Sequence, residues 1–194
     1  MMKRLKIAVI YGSYRSDRMG IRAAKFCLNQ LDGKCETVFL DAKEFNLPIL
    51  DKMHKEFPDG EAPENMQKAS DALRSCDGFI IITGEYNHSF QPGLKNFLDH
   101  FQKEYFFKPS AILSYSAGSF GGVRVAVHAR AVLAELGMSS IPTIQPIPKI
   151  STTLDEDGIP ADERMIDRFD RFASELFWYA EALKKARLEG NKPY

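Results

Sequence analysis

The chain has 194 residues, 44% of them hydrophobic, with 26 basic and 26 acidic side chains. That length suits one α/β domain with a full core, and the even charge balance points to neither nucleic acid nor a membrane surface as a partner. It also counts against the strongly acidic character of small electron-carrier proteins.

The opening MMKRLKIAVIYGSYRSDR imitates a signal peptide only faintly, because its apolar run is short and ends in a polar loop. No stretch approaches the roughly 18–20 apolar residues of a membrane span. Residues 5–11, LKIAVIY, read as a strand covered on both faces. Ile21, Ala24, Leu28 and Leu31 then recur at helical spacing over 20–31, with Gly33 as the stop. CETVFLD (35–41) is a second strand. The proline-bearing stretch 42–62 is long for a connection, so it is expected to be mobile or to cover a site. Met66, Ala69, Leu73 and Cys76 mark an amphipathic helix. DGFIIIT (77–83) is the clearest buried strand, and Pro92 suits the first turn of a helix through Leu94, Phe97, Leu98 and Phe101. SAILSY (110–115) is a fourth strand, 122–136 a helix ending at Gly137, and SSIPTI (139–144) a weaker fifth strand that Pro142 confines to an edge or end. A helix over about 162–188 closes the chain. Neither a repeat nor a linker appears, so residues 1–194 read as a single domain.

Cys27, Cys35 and Cys76 form no CxxC pair and no zinc spacing, and they read as small core residues. An odd number of cysteines without an export signal suggests reduced thiols and a cytoplasmic location. Strands alternating with helices imply a parallel sheet with right-handed crossovers and helices on both faces. Five strands in this length suit a flavodoxin-like three-layer sandwich of order 2-1-3-4-5, whose ligands lie beyond the carboxyl ends of strands 1, 3 and 4.

The three loops at that edge carry unusual residues. In G12-S-Y-R-S-D-R-M-G20, Ser13 and Ser16 offer hydroxyls, Arg15 and Arg18 offer charged forks, and the following helix offers unpaired N–H groups. A phosphate monoester fits this set; for the loop alone, solvated arginines fit as well. Neither a GxxxxGK[ST] loop nor GxGxxG is present, so neither a P-loop nucleoside triphosphatase nor a Rossmann dinucleotide fingerprint is indicated. In T83-G-E-Y-N-H-S-F-Q-P92, Tyr86 can present a ring face, and Glu85, Asn87 and the backbone can meet a heteroaromatic edge; half-buried packing is the plainer reading of Tyr86. His88 reads as a polar loop residue. His54, His100 and His128 have no metal spacing. In S114-Y-S-A-G-S-F-G-G122, small residues leave a shelf of backbone amides for a flat ligand, unless the segment is only a flexible turn.

Taken together, GSYRSDRMG, GEYNHSFQPGLKNFLDH and SYSAGSFGGVRVA resemble the phosphate loop, the PEYN-type loop and the SxGxxGG loop of the NADPH-dependent FMN reductases. These are flavodoxin-like enzymes that include quinone, azo-dye and chromate reductases. The resemblance covers about residues 3–145. It implies that Ser13, Arg15, Arg18, Gly20 and the amide of Ile21 hold the FMN phosphate. It also implies that Glu85, Tyr86 and Asn87 line the isoalloxazine and that Ser116, Gly118 and Gly121 sit beside the flavin and ribityl chain. Gly84 stands where the family usually has proline, a departure expected to loosen that loop. Residues 146–194 carry no recognised motif.

The activity so implied is an FMN-dependent NAD(P)H oxidoreductase acting on quinone-like or other flat acceptors, or on free flavin, by a ping-pong scheme. The hard chemistry belongs to the flavin, so no side-chain acid, base, nucleophile or metal is required. A flavodoxin-type electron carrier and a non-enzymatic flavin-binding regulator are the rival readings. Five aromatics within 97–107 and three in a row at 177–179 exceed what one helix face buries, so a homodimer or homotetramer is expected. The resemblance places such an interface on the helix after the second loop.

Overall fold

Five parallel strands form one sheet in the order β2-β1-β3-β4-β5 in the computed structural model, which describes residues 4–190 and Pro193. The basic start at residues 1–3 lies outside the described residues. The strands are β1 (Lys6–Tyr11), β2 (Glu36–Asp41), β3 (Gly78–Gly84), β4 (Lys108–Tyr115) and β5 (Met138–Ile147). The helices are α1 (Ile21–Leu31), α2 (Ala42–Phe45), α3 (Glu64–Ser75), α4 (Pro92–Asp99), α5 (Val123–Glu135), α6 (Ile150–Thr153) and α7 (Arg164–Leu188). The expected sheet order is therefore the observed one.

Because side chains alternate along a strand, the sheet builds two cores. Ile7, Val9, Ile80, Ile82 and Leu113 face α1 and α7, while Ala8, Ile10, Phe79, Ile81 and Ile112 face α3, α4 and α5. β3 and β4 are buried at every position, which is why neither sequence alternates polar with apolar; the buried Lys108, Ser110 and Ser114 of β4 are hydrogen-bonded. β5 occupies the edge and runs longer than expected. Its register against β4 shifts between the Ser110–Ser140 and Ile112–Ile144 pairs, and Pro142 sits within that bulge, where no ladder hydrogen bond is demanded of it.

Register brings the carboxyl ends of the strands to one edge. Tyr11 pairs with Asp41 and Ile82, Gly84 with Tyr115, and Tyr115 with Ile147. The loops that follow β1, β3 and β4 therefore converge there.

Two expectations are corrected. The segment 42–62 does not cover that edge. It contains α2 and a 3-10 turn at His54–Glu56, and it is fastened to α4 and the turn that follows it. Leu50 N–H donates to Asn96 Oδ1 (2.9 Å), Asn96 Nδ2 to the Pro48 carbonyl (2.8 Å), and His54 N–H to the His100 carbonyl (2.8 Å). The aromatics of 97–107 do not form an exposed patch either. Phe97, Phe101 and Tyr105 are buried in the core under α3 and α4, since a helix and the turn after it can point successive rings at the same sheet face. Of the aromatic triplet in α7, Trp178 is exposed, and Phe177 and Tyr179 are half-buried against the other core.

Candidate active site

A cavity of about 480 Å³ lies at the carboxyl edge of the sheet, within the range of small-molecule sites. Ser13, Arg15, Asp17, Arg18, Met19 and Gly20 line it from the first loop, Gly84, Glu85 and Tyr86 from the second, and Tyr115, Ser116 and Ala117 from the third. Ile150 and Ser151 of α6 complete the wall. A larger hollow of about 750 Å³ opens at the opposite edge of the sheet, but its charges satisfy one another. Lys184 and Arg187 reach Asp77, and Arg74 reaches the buried Glu104.

The first loop is built to meet an anion. The main-chain N–H groups of residues 14–18 and of Gly20 take no protein partner among the described residues, and Gly20 is the N-cap of α1, at the positive end of its dipole. Such donors are costly to leave unpaired unless water or a ligand meets them. The two arginines differ. Arg15 is exposed and makes no ion pair among the described residues. Arg18 is committed inward: its guanidinium lies 2.6 Å from the nearer oxygen of the buried Asp41, 3.5 Å from Glu44, and over the ring of Tyr11. Burial lifts the Asp41 carboxyl above its usual value, although the Lys43 amide and Arg18 oppose that rise.

The second loop is a two-residue hairpin. Tyr86 N–H donates to the Ser89 carbonyl (3.0 Å) and Ser89 N–H to that of Tyr86 (2.9 Å), with Asn87 and His88 at φ 49° and 67°, the geometry of a type I′ turn. Tyr86 lines the cavity, whereas Asn87 is exposed at the hairpin tip. The Glu85 carboxylate points across to α5, where it accepts from the amides of Arg124 (3.1 Å) and Val125 (3.3 Å) and caps that helix.

Gly84 does not loosen this loop. Its N–H donates to Gln91 Oε1 (3.0 Å), a bond that proline could not make, and a Cβ there would lie 2.7 Å from Tyr115 Cζ. In the third loop Ser116 Oγ donates to the Gly118 carbonyl (2.9 Å) and Ser114 Oγ to the Gly121 carbonyl (2.8 Å), so the hydroxyls shape the turn.

Of the residues proposed from sequence, the structure brings Ser13, Arg15, Arg18, Gly20, Glu85, Tyr86 and Ser116 to the cavity wall. Ile21, Asn87, Gly118 and Gly121 do not line it. Sequence reading missed Tyr115, which the end of a strand conceals among core residues. It also missed Ile150 and Ser151, which belong to the segment without a motif and arrive only through the fold. Among the described residues no cluster of metal ligands exists, and Cys27, Cys35 and Cys76 are free and buried. Burial pushes the Cys35 thiol up to about 11 and the Cys27 thiol higher still.

Comparison with known proteins decides the family. The family model described as NADPH-dependent FMN reductase matches residues 5–151. The chain belongs to that family. It is accordingly an oxidoreductase, with FMN as cofactor and NAD(P)H as co-substrate. An NAD(P)H-dependent FMN reductase of a Nectria species is 33% identical over 131 residues, covering 61% of this chain and 62% of that protein. A 2-hydroxy-1,4-benzoquinone reductase of a Burkholderia species is 28% identical over 172 residues, 86% of this chain and 88% of that one. Among solved structures, a flavoenzyme NAD(P)H:(acceptor) oxidoreductase of Paracoccus denitrificans superposes with a TM-score of 0.69 at 21% identity, over 93% of this chain and 98% of that one, which speaks for the fold. No helix among the described residues is long and apolar enough to cross a membrane.

Proposed function

We propose that this reductase holds FMN in the 480 Å³ cavity and uses it to pass electrons from NAD(P)H to quinones and similar flat acceptors. The observation that carries the reading is the first loop: unpaired main-chain N–H groups at the N-terminus of α1, the buried Ser13 hydroxyl and the uncommitted Arg15 stand together at one end of the cavity. A phosphate monoester satisfies all of them. Tyr86, Ser116, Ala117 and Ile150 line the rest of the cavity, where a flat ring would lie.

When bound, FMN supplies the hydride and electron chemistry. The protein's residues bind and orient. Arg15 and the amides of the loop neutralise the phosphate, Asp41 keeps Arg18 folded against Tyr11, and Tyr86 flanks the ring. No side chain is given the role of acid or base. The 2-hydroxy-1,4-benzoquinone reductase among the relatives supports quinones as acceptors. With one open face serving both substrates, nicotinamide and acceptor take turns, which is a ping-pong scheme. A homodimer and a cytoplasmic location belong to the same proposal.

The test is anaerobic titration of the FMN-loaded protein. One equivalent of NAD(P)H per flavin should bleach the yellow colour, and benzoquinone should restore it. Steady-state plots against the two substrates should be parallel. Intersecting lines would remove the shared face, and a flavin that NAD(P)H cannot bleach would remove the reductase reading.

A further inference from the structure

Tyr115 stands where the three loops meet. A Cβ added at Gly20 would lie 2.1 Å from its Oη, one at Gly84 2.7 Å from its Cζ, and one at Gly122 2.9 Å from its carbonyl oxygen. Each of these glycines comes from a different loop. The side chain is buried, and it is linked to the second loop by a hydrogen bond and to the first by packing. Towards the second loop, its Oη accepts from Gln91 Nε2 (2.8 Å), and Gln91 Oε1 accepts from Gly84 N–H (3.0 Å). Towards the first loop, its ring packs on Gly20 and shares a core with Tyr11, whose hydroxyl lies 3.5 Å from the Arg18 carbonyl oxygen and whose ring supports the Arg18 guanidinium. Burial drives the Tyr115 phenol far above its ordinary value.

We propose that Tyr115 is a positioning residue that couples the two halves of the cavity, so that an anion in loop 13–20 and a flat ring beside Gly84 and Tyr86 each favour the binding of the other. The proposal rests on the site reading above. Its physical basis is the absence of slack. Strand β4 is paired on both sides, which fixes the Tyr115 backbone. Its ring contacts Gly20 and Gly84 together, so a shift of either loop displaces the ring against the other or breaks the Gln91 link. A packed element of this kind has few intermediate positions. Coupling through it must be reciprocal.

The two halves can be probed with separate ligands: lumiflavin, which has the ring system and no phosphate, and inorganic phosphate. Lumiflavin affinity of the FMN-free protein is measured by fluorescence quenching with and without saturating phosphate, chloride replacing phosphate at equal ionic strength. Phosphate should tighten lumiflavin binding about fivefold or more, the lower range of measured site-to-site couplings, and lumiflavin should tighten phosphate by the same factor. In Tyr115→Phe, which keeps the ring and loses the Gln91 link, the factor should fall, and in Tyr115→Leu, which removes the ring as well, it should fall to one. Gln91→Leu cuts the link to Gly84 without touching the ring of Tyr115, and it should lower the factor even if the Tyr115 variants fail to fold. A purely structural role would lower affinity equally with and without phosphate. That result, an unchanged factor in the variants, or a wild-type factor of one would overturn the coupling. Wild-type protein that binds neither ligand would overturn the site reading and this inference with it.

Discussion

Arg15 and Arg18 are three residues apart in one loop, yet their surroundings give them different work. Arg15 faces solvent at the cavity wall and makes no ion pair among the described residues, so its charge is available to a ligand. Arg15→Ala should weaken FMN by about 1.5–3 kcal/mol, roughly ten- to a hundredfold, the range for a hydrogen bond to a charged group. Riboflavin, which lacks the phosphate, should bind almost unchanged, and equal losses for both ligands would mean the loop holds no phosphate. Arg18 is balanced by Asp41, only 5% exposed, so Arg18→Ala strands a buried carboxylate. Its first effect should be on folding, a loss of about 1.5–3 kcal/mol in urea unfolding. Gly84 makes a sharper case. Gly84→Pro would install the residue the family usually carries, but it removes the N–H that Gln91 accepts and drives ring atoms against Tyr115. It should destabilise the protein by about 1–3 kcal/mol and loosen FMN, measured by urea midpoints and flavin titration. A neutral or stabilising outcome would show that Tyr115 is free to move aside.

At the scale of elements, helices and loops are tied to the sheet edge by single carboxylates. Glu85 leaves β3 and caps α5, the helix that follows the third loop, so it joins two loops through one helix terminus. Glu85→Ala should cost about 1 kcal/mol, seen as a lower Tm, and should disturb the Ser116–Gly122 segment more than the first loop in hydrogen exchange. Glu104 holds the opposite edge, accepting from Ser70 (2.8 Å) and Arg74 (3.1 and 3.2 Å) with His54 beside it. Burial by itself would raise its carboxyl, but the Ser70 hydroxyl, main-chain N–H groups and Arg74 outweigh that and hold it below the ordinary 4.5. A carboxylate with a depressed pKa in the folded state adds stability above its unfolded value and loses it as pH falls through the folded one. Glu104→Gln should therefore lower Tm at neutral pH, and the difference from wild type should shrink as pH drops below 4.5. A difference independent of pH would refute the assignment.

For the molecule as a whole, α7 decides how the surface is left. It buries Phe169, Phe172, Leu176 and Ala180 against β4, β5 and α1, and it leaves Trp178 66% exposed. With Phe97, Phe101 and Tyr105 spent in the core, Trp178 remains a large exposed apolar side chain on the α7 face, available to a second copy. Light scattering should give about twice the 21.9 kDa of one chain. Trp178→Glu should lower that mass if α7 forms the contact. A monomer at micromolar concentration in the wild type would end the dimer proposal.

Strand order, the five longer helices and the sheet edge at which the cavity lies were legible in the sequence, whereas the short α2 and α6 were not. Buried parallel strands must be nearly all apolar, and a doubly wound sheet leaves its carboxyl edge to loops. The same reading singled out Ser13, Arg15, Arg18 and Gly20, and the fold puts all four on the cavity wall. What it could not decide was direction. Glu85 carries the polarity of a site residue and spends it on a helix terminus, Asn87 sits beside Tyr86 in sequence and turns away at the hairpin tip, and Arg18 looks like Arg15 until Asp41 approaches from β2. Gly84, Gln91 and Tyr115, scattered over 84–115, become one unit only when β3 and β4 pair in register. Composition and periodicity report which residues can be buried; which neighbour each polar group meets depends on contacts between distant segments, and those exist only in the folded chain.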